Sequence, residues 1–263
     1  MSYENRYSYI PKIVLITGAT GDFGAAFAHR YAALGCKLVL HGRSAEKTKV
    51  LAQELSSEYK VSVYEMVFDI SDKEAMKKAF SSLPSDFADI DVLVNNAGLA
   101  LGLEPAYKCS VEDWETMIEV NNLALVRMSR LVLEGMAQRK KGHIVNISST
   151  AANYPYPGGN VYCATKAFVK QFSLALRADL AGTNIRVTNI EPGMVETQFS
   201  KVRFKGNDEK AGNVYAKTKN IHAEDIAEAV VWVTTLPPEM NINRMEIMPT
   251  VQSFGSNPVE RFD

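Results

Sequence analysis

Three side chains in the stretch 142–166 have the types and spacing needed to move a proton to or from an alcohol. Tyr162 and Lys166 lie four residues apart in a pattern typical of an amphipathic helix, so they share one helix face. Ser149 follows the apolar run 144–147, which is typical of a buried strand. A phenol has a pKa near ~10, and an adjacent ammonium favours the phenolate. The alternative is that Tyr162 and Lys166 are a solvent-exposed pair with no catalytic role. The rest of the chain distinguishes these two interpretations.

Strand-like and helical runs alternate along the chain and predict the elements that position these side chains. The predicted strands are 12–17, 37–41, 61–68, 91–94, a run ending near Ser148, 185–190 and 245–248. The predicted helices are 23–34, 45–59, 72–83, 111–139, a helix beginning near Tyr162, and 223–236. This order predicts an α/β fold, a Rossmann-type doubly wound parallel sheet of about seven strands with helices on both faces. We expect a single domain over 1–263, with ligands at the carboxyl ends of the strands.

The composition excludes several classes of function. The chain has 263 residues and a formal net charge of −1, and its basic residues are scattered, so neither a nucleic-acid nor a membrane-surface partner is expected. The apolar runs are far shorter than a membrane span, and residues 1–12 lack the apolar core of a signal peptide, which predicts a cytoplasmic protein. Cys36, Cys109 and Cys163 are odd in number and widely spaced, which fits neither a disulfide framework nor a metal site.

The loop Thr17-Gly-Ala-Thr-Gly-Asp-Phe-Gly24 follows the first predicted strand and opens the first predicted helix. Its glycines allow the backbone to approach a pyrophosphate closely, and the helix N-terminus favours the negative charge. Glycines also occur in strand-to-helix turns that bind nothing. The loop therefore indicates a nucleotide site without establishing one.

Five ordered motifs resemble those of the short-chain dehydrogenases/reductases over essentially the whole chain. They are the glycine loop, Asn95-Asn-Ala-Gly98, Ser148-Ser149, Tyr162-x-x-x-Lys166, and Pro192-Gly193 with Thr197. Within that family the chain is most similar to the 3-hydroxy acid dehydrogenases that also act on serine and L-allo-threonine. The stretches that carry this similarity are 98–102, 154–162, 202–206 and 241–243.

The resemblance implies four catalytic residues, namely Asn121, Ser149, Tyr162 and Lys166. Tyr162 would be the general acid in reduction, and Lys166 would lower the Tyr162 pKa and hold the nicotinamide ribose. Ser149 would hydrogen-bond the substrate oxygen and is preferred over Ser148 because it lies thirteen residues before Tyr162. Asn121 is preferred over Asn122 and would hold a water in a proton relay to Lys166.

The resemblance also implies NADP(H) as the cofactor. Arg43 can pair with a 2′-phosphate, and no acid stands beside it to bind the ribose of NAD. The implied cofactor-binding residues are Gly18, Thr20, Gly21, Phe23, Gly24, Arg43, Asp69, Asn95, Gly98, Tyr162, Lys166, Pro192, Gly193, Val195 and Thr197. Asp22 stands where the family usually has glycine, and its carboxylate would repel a pyrophosphate. We therefore expect Asp22 to point outward or to cap the following helix.

The substrate is the least determined part of the prediction. A polar segment at about 196–219 shows no strong helix pattern and lies where the family has its substrate lid. Within it, Arg203 or Lys205 could pair with a substrate carboxylate or sulfonate, and we select Arg203, with Ser149 and Tyr162, as substrate residues. The expected substrate is a small anionic hydroxy acid of the 3-hydroxypropionate, serine or L-allo-threonine type, or its aldehyde. No metal is expected.

Other functions and an assembly follow from the same resemblance. A sulfoacetaldehyde reductase and a broader carbonyl or 3-oxoacyl reductase are alternative enzymes, and an NADP(H)-binding sensor without turnover is the alternative outside enzymology. The long helix 111–139 and the helix from Tyr162 are expected as dimer faces of a homotetramer. The stretch from Met248 to Phe254, which opens the C-terminal tail at about 249–263, would complete a neighbouring subunit's pocket.

Overall fold

Seven parallel strands form one sheet in a computed structural model that describes residues 8–216 and 218–254, with the backbone alone at Lys210 and Ala211. The strands are β1 Ile13–Ile16, β2 Lys37–Gly42, β3 Val63–Val67, β4 Val92–Asn95, β5 Gly142–Ile147, β6 Ile185–Pro192 and β7 Arg244–Ile247. Their order across the sheet is β3-β2-β1-β4-β5-β6-β7. The order reverses direction beside β1, which is where doubly wound sheets open a crevice for ligands.

Ten α-helices occur among the described residues, and the longer ones cover both faces of the sheet. They are α1 Asp22–Ala33, α2 Ala45–Tyr59, α3 Lys73–Ser81, α4 Ser85–Ala88, α5 Val111–Ile118, α6 Ala124–Arg139, α7 Asn160–Asp179, α8 Phe199–Arg203, α9 Asp208–Tyr215 and α10 Ala223–Thr234. One core packs α1, α2 and α10 against the sheet, as in the contact of Phe27 and Ile226 with Ile16 and its neighbours. The other core packs Met76 of α3 and Met128 of α6 beneath Leu15 and Leu93. Strands buried on both faces read as continuous apolar runs, which explains why the sequence revealed them.

Short polar side chains fix the starts of three helices. The hydroxyl of Ser44 accepts from the backbone N–H of Lys47 at the start of α2. Asp72 accepts from two backbone N–H groups at the start of α3, and Ser110 accepts from one at the start of α5. Each of these caps satisfies an N–H that has no partner inside its helix.

The predicted fold class is confirmed, and two segments differ from expectation. The predicted lid at about 196–219 contains two short helices, α8 and α9, although its sequence is polar and lacks a long apolar stripe. The predicted helix 111–139 is interrupted by a π-helical turn at Glu119–Leu123. That turn buries the adjacent side chains of Asn121 and Asn122 together, which a regular helix cannot do on one face.

No helix within the described ranges is long and apolar enough to cross a membrane. All three cysteines are free thiols, with Cys36 and Cys163 buried and Cys109 partly exposed. The predicted C-terminal tail is described as far as Phe254, and its remaining positions, 255–263, lie outside the described residues.

Candidate active site

A cleft of about 770 Å³ opens at the carboxyl edge of the sheet and gathers most of the predicted site residues. Its lining includes Gly18, Thr20, Gly21, Asp22, Phe23, His41, Arg43, Asp69, Asn96, Gly98, Ser149, Tyr162, Lys166, Pro192, Gly193, Val195 and Thr197. Polar groups at one end come from the glycine loop and the ends of β2 and β3. Those at the other end come from β5, α7 and residues 193–203, called here the segment after β6.

The glycine loop requires glycine at two positions for steric reasons. Gly18 has a φ of +64°, and a Cβ there would lie 3.0 Å from the Cα of Ala97. A Cβ on Gly24 would lie 2.2 Å from the carbonyl oxygen of Gly18, so Gly24 supports the loop from behind without lining the cleft. Gly21 precedes α1 as its N-cap, with room for a side chain. The N-terminus of α1 is thereby exposed to the cleft, where its free N–H groups favour an anion.

The Asn95-Asn-Ala-Gly turn is tied to the glycine loop through Asn96, which the sequence prediction missed. The Asn96 amide donates to the carbonyl oxygens of Thr17 at 3.0 Å and Gly18 at 3.1 Å. Asn95, the predicted cofactor residue, instead donates to Ser129 at 2.9 Å and Asn146 at 2.8 Å in a buried network below the cleft. The structure does not bring the Asn95 side chain into the cleft lining. Side chains of consecutive strand residues point to opposite faces, and this alternation was the signal available in the sequence.

His41 is a second cleft residue that the sequence analysis did not select. Its Nδ1 accepts from the backbone N–H of Gly18 at 3.3 Å, and its Nε2 lies 3.2 Å from the carbonyl oxygen of Phe68. Burial lowers the pKa of His41 to about 4, so the ring is neutral at pH 7. A neutral ring that accepts at Nδ1 must carry its proton at Nε2, which lets it bridge the glycine loop and the end of β3.

Arg43 and Asp69 border the open end of the cleft. Arg43 is exposed at the turn after β2. Two hydrogen bonds from Ser71, one from its hydroxyl at 2.6 Å and one from its backbone N–H at 2.9 Å, hold the Asp69 carboxylate. These bonds lower the Asp69 pKa, and the nearby Arg43 charge lowers it further. Asp69 is therefore an ionised acceptor and Arg43 a cation at the same end of the cleft.

Asp22 lines the cleft near the start of α1. Its carboxylate makes no capping bond to α1. Instead its Oδ2 accepts from the backbone N–H of Gln198 at 2.5 Å, which links the glycine loop to the segment after β6.

Tyr162 is buried at the inner end of the cleft, with only 8% of its surface exposed. Burial raises the pKa of Tyr162 above its ordinary value, while the Arg203 guanidinium and a hydrogen bond with Ser149 act in the opposite direction. The Arg203 guanidinium carbon lies 4.9 Å from the Tyr162 ring centre, and the Lys166 Nζ lies 5.8 Å away. The sequence suggested Lys166 alone as the cation beside the phenol. In the structure Arg203 is nearer, because α8 lays it against the ring.

The paired serines have different partners. Ser148 donates its hydroxyl proton to the backbone carbonyl of Lys166 at 2.8 Å and is buried. Ser149 faces Tyr162, accepts from the N–H of Ala151 at 3.1 Å and lies 3.4 Å from the carbonyl oxygen of Pro192. Of the two serines, Ser149 is therefore the one whose hydroxyl meets Tyr162.

Lys166 and Asn121 flank Gly98, and Lys166 lines the cleft while Asn121 lies outside its lining. A Cβ on Gly98 would lie 3.2 Å from the Asn121 Oδ1 and 3.4 Å from the Lys166 Nζ. Lys166 donates to the carbonyl oxygen of Ile147 at 3.0 Å, and burial lowers its pKa to about 8. The Asn121 amide exchanges bonds with both backbone groups of Leu99 at 2.8 and 2.9 Å. It also donates to the Thr165 hydroxyl at 3.0 Å, which leaves one Oδ1 lone pair for the predicted water.

The two candidate anion-binding residues of the predicted lid differ in their existing partners. Lys205 is exposed and already paired with Asp113 at 2.8 Å. Arg203 stacks over the rings of Tyr156, Tyr162 and Phe199 and donates to the Tyr156 hydroxyl. Its Nε is buried without a hydrogen-bond partner among the described residues. Arg203 itself does not line the cleft as the protein stands, although its neighbour Val202 does.

The arrangement places a phenol, a hydroxyl and an ammonium around one end of a cleft and an anion-attracting helix terminus at the other. The short chain dehydrogenase family profile matches residues 12–208. The NADP-dependent 3-hydroxy acid dehydrogenase YdfG of Salmonella typhi is 56% identical over 250 residues, which cover 95% of this chain and 99% of that protein. The serine 3-dehydrogenase of Rhizobium radiobacter is 49% identical over 248 residues, covering 94% and 98% of the two chains.

Solved structures show the same relationship. A serine dehydrogenase in a closed form complexed with NADP⁺ is 53% identical, with a TM-score of 0.88 over 95% of this chain and 100% of that one. The serine dehydrogenase of Escherichia coli is 49% identical, with a TM-score of 0.80 over 92% and 100% of the two chains. The family predicted from the motifs is therefore confirmed, and the chain belongs to the short-chain dehydrogenase family.

Proposed function

We propose that the protein is an NADP(H)-dependent oxidoreductase that interconverts a small hydroxy acid and its carbonyl compound by hydride transfer. The convergence of Ser149, Tyr162 and Lys166 at the inner end of a cleft that begins at a glycine loop carries the proposal. The relatives with 56% and 49% identity, a 3-hydroxy acid dehydrogenase and a serine 3-dehydrogenase, support the substrate class.

The cleft fits NADP(H) by its shape and charges. The cradle at Gly18 has no space for a Cβ, and α1 directs its free N–H groups towards the place where a pyrophosphate would bind. Arg43 supplies an exposed cation for a 2′-phosphate, and Asp69 supplies an acceptor for the adenine amino group. The solved relative complexed with NADP⁺ supports the same cofactor.

When bound, NADP(H) supplies the site that gives or accepts the hydride. In reduction, Tyr162 gives its phenolic proton to the carbonyl oxygen while hydride arrives at the carbonyl carbon, and in oxidation the phenolate takes the hydroxyl proton back. Ser149 donates a hydrogen bond to the same oxygen and stabilises its developing negative charge. Lys166 would hold the nicotinamide ribose, and Asn121 would hold a water that completes the proton relay from Lys166. The wall beside the nicotinamide would consist of Pro192, Gly193, Val195 and Thr197.

Arg203 is the residue that we assign to the substrate carboxylate. A guanidinium suits a planar anion because it can donate two parallel hydrogen bonds, and the Nε of Arg203 is buried without a partner. Its position over the Tyr162 ring would put the carboxylate a few bonds from the reacting carbon, as in a 3-hydroxy acid. Lys205 is the weaker candidate because Asp113 already neutralises it.

A substrate panel tests the proposal. Purified protein with NADP⁺ should oxidise 3-hydroxypropionate, L-serine or L-allo-threonine faster than isethionate, a simple alcohol or a 3-hydroxyacyl thioester. Tyr162→Phe should still bind NADPH and should lose turnover by about 10³-fold or more, because the proton donor is gone. Wild-type turnover in that variant would refute the mechanism. NADPH binding without turnover of any panel member would favour the sensor function.

We also propose that the protein is a homotetramer and that it lies in the cytoplasm. Exposed apolar side chains on the helices at 111–139 and on α7, among them Ile118, Leu123 and Phe168, support a subunit contact there. Light scattering during size exclusion tests the assembly, and Phe168→Glu should reduce the mass of the particle. Fractionation of source cells tests the location.

A further inference from the structure

Asp22 is a departure from the family's glycine loop, and its hydrogen bond gives it a task outside that loop. The residue is exposed at the start of α1 and makes no capping bond to its own helix. Its carboxylate accepts instead from the backbone N–H of Gln198 at 2.5 Å, across 176 residues of sequence. A hydrogen bond to an ionised acceptor is stronger than one between neutral groups, and this one joins two separate walls of the cleft.

The other hydrogen bonds of the segment after β6 are made to parts of the chain outside the glycine loop. The N–H of Gly193 donates to the carbonyl oxygen of Ile247 at 2.7 Å, and the N–H of Met194 donates to the side chain of Gln252 at 2.7 Å. The N–H of Glu196 donates to the carbonyl oxygen of Ile221 at 3.1 Å. Across the described residues, the bond to Asp22 is the one hydrogen bond that ties this segment to the glycine loop.

The bond between Asp22 and Gln198 spans the cleft in which the cofactor would bind. Asp22 lies at the helix terminus that would receive the pyrophosphate, and Gln198 adjoins Thr197 beside the nicotinamide. With the bond formed, the glycine loop, the sheet edge and the segment after β6 make a continuous wall. When the segment after β6 moves away from the glycine loop and widens the cleft, the Asp22 bond must break first.

We propose that Asp22 is a positioning residue that latches the segment after β6 to the glycine loop and thereby slows the release of NADP(H). The inference rests on the proposed function, because it assigns the cleft to that cofactor. The latch also explains how the glycine loop tolerates a carboxylate, because the Asp22 charge is stabilised by the backbone N–H of Gln198. Asp22 makes no contact that moves a proton or hydride.

Stopped-flow release of NADPH, chased by excess NADP⁺, measures the latch directly. Asp22→Ala removes the acceptor and should release NADPH about five- to tenfold faster, as expected for the loss of one charge-assisted hydrogen bond at an exposed site. Asp22→Asn keeps an oxygen acceptor in the same place and should stay within about twofold of the wild type. Glu224→Ala, which removes an exposed carboxylate from the first turn of α10, is the matched control and should leave release unchanged.

The two variants separate the latch from simple charge repulsion. If Asp22 acted only as a negative charge near the phosphates, Asp22→Ala and Asp22→Asn would both slow NADPH release by similar factors, and the proposal would be overturned. Equal release rates in all four proteins would overturn it as well. Thermal unfolding midpoints within about 2 °C of the wild type would show that both variants are folded.

Hydrogen–deuterium exchange in the protein without cofactor tests the latch independently of the proposed function. Peptides covering 196–204 should exchange several-fold faster in Asp22→Ala than in Asp22→Asn or the wild type, because the Gln198 N–H loses its acceptor. Unchanged exchange would refute the latch. Faster exchange in a protein that fails to bind NADPH would keep the latch and reject the proposed cofactor.

Discussion

Replacing the buried lysine of the site should stabilise the protein while abolishing its activity. The Lys166 ammonium is buried and donates a hydrogen bond to the carbonyl oxygen of Ile147, and burial lowers its pKa from 10.5 to about 8. At pH 7 the lysine is protonated in both the folded and the unfolded state. The pKa difference means that burying the charged form lowers the free energy of unfolding by about 3 kcal/mol. Lys166→Met removes this cost and forfeits one hydrogen bond of about 1 kcal/mol. The variant should therefore be about 2 kcal/mol more stable than the wild type at pH 7.

The pH dependence is the sharper part of this prediction. Below pH 8 both folded and unfolded states carry the proton, so the cost of burying the ammonium is fully present. Between pH 8 and 10.5 the unfolded state binds more protons than the folded state, so the wild-type stability rises with pH relative to Lys166→Met. The advantage of the variant should thus shrink by about 2 to 3 kcal/mol between pH 7 and pH 10.

Urea unfolding of both proteins at several pH values between 7 and 10 measures this difference. Other ionisable groups titrate in the same range, but they are common to both proteins and cancel in the comparison. Lys77→Met, which removes an exposed ammonium from α3, is a matched control whose difference from wild type should stay constant. Parallel stability curves for wild type and Lys166→Met would refute the reasoning, because they would mean that the ammonium is not penalised by burial.

Three further predictions address the glycine loop, the cofactor and the substrate. Gly24→Ala should lose about 1 to 3 kcal/mol of stability, because its Cβ would lie 2.2 Å from the Gly18 carbonyl oxygen; an unchanged unfolding midpoint would contradict this. Arg43→Ala should raise the KM for NADP⁺ about tenfold or more and leave that for NAD⁺ nearly unchanged, and equal changes would remove Arg43 from the 2′-phosphate. Tyr156→Phe should raise the KM for the hydroxy acid several-fold with little change in kcat, because the Arg203 guanidinium loses the hydroxyl that holds it in place. An unchanged KM would argue against Arg203 as the carboxylate partner.

Local sequence patterns predicted the sheet and the pairing of Tyr162 with Lys166, because each depends on a short stretch of sequence. The central strands β1 and β4 are brief apolar runs buried on both faces, and Tyr162 and Lys166 share a face through the fixed pitch of a helix. The position of Ser149 followed from its place at the end of β5. Such features depend on a few neighbouring residues and leave a visible periodicity.

Contacts between distant segments left no such signal. Nothing local places Arg203 over Tyr162 or the N–H of Gln198 beside Asp22, since both depend on how the segment after β6 folds back. The same holds for Glu191, a fully buried carboxylate at the end of β6 that pairs with Arg244 of β7 through two hydrogen bonds of 2.8 and 2.7 Å. Polar sequences can fold into short helices such as α8 and α9 when tertiary contacts supply the stability that amphipathicity does not.

The π-helical turn at Glu119–Leu123 has a consequence for which insertions and deletions this chain can accept. A turn of this kind contains one residue more than a regular helical turn, and here that residue lets Asn121 reach Leu99 while Asn122 reaches Thr165. Deleting one residue from the turn would restore a regular helix, in which consecutive side chains are about 100° apart, so Asn121 and Asn122 could no longer both keep their partners. The sheet could still form, but Asn121 would lose its place beside Gly98 and Lys166. Chain length is therefore as constrained as residue type in this stretch, and related sequences with a functional cleft should carry no single-residue gap there.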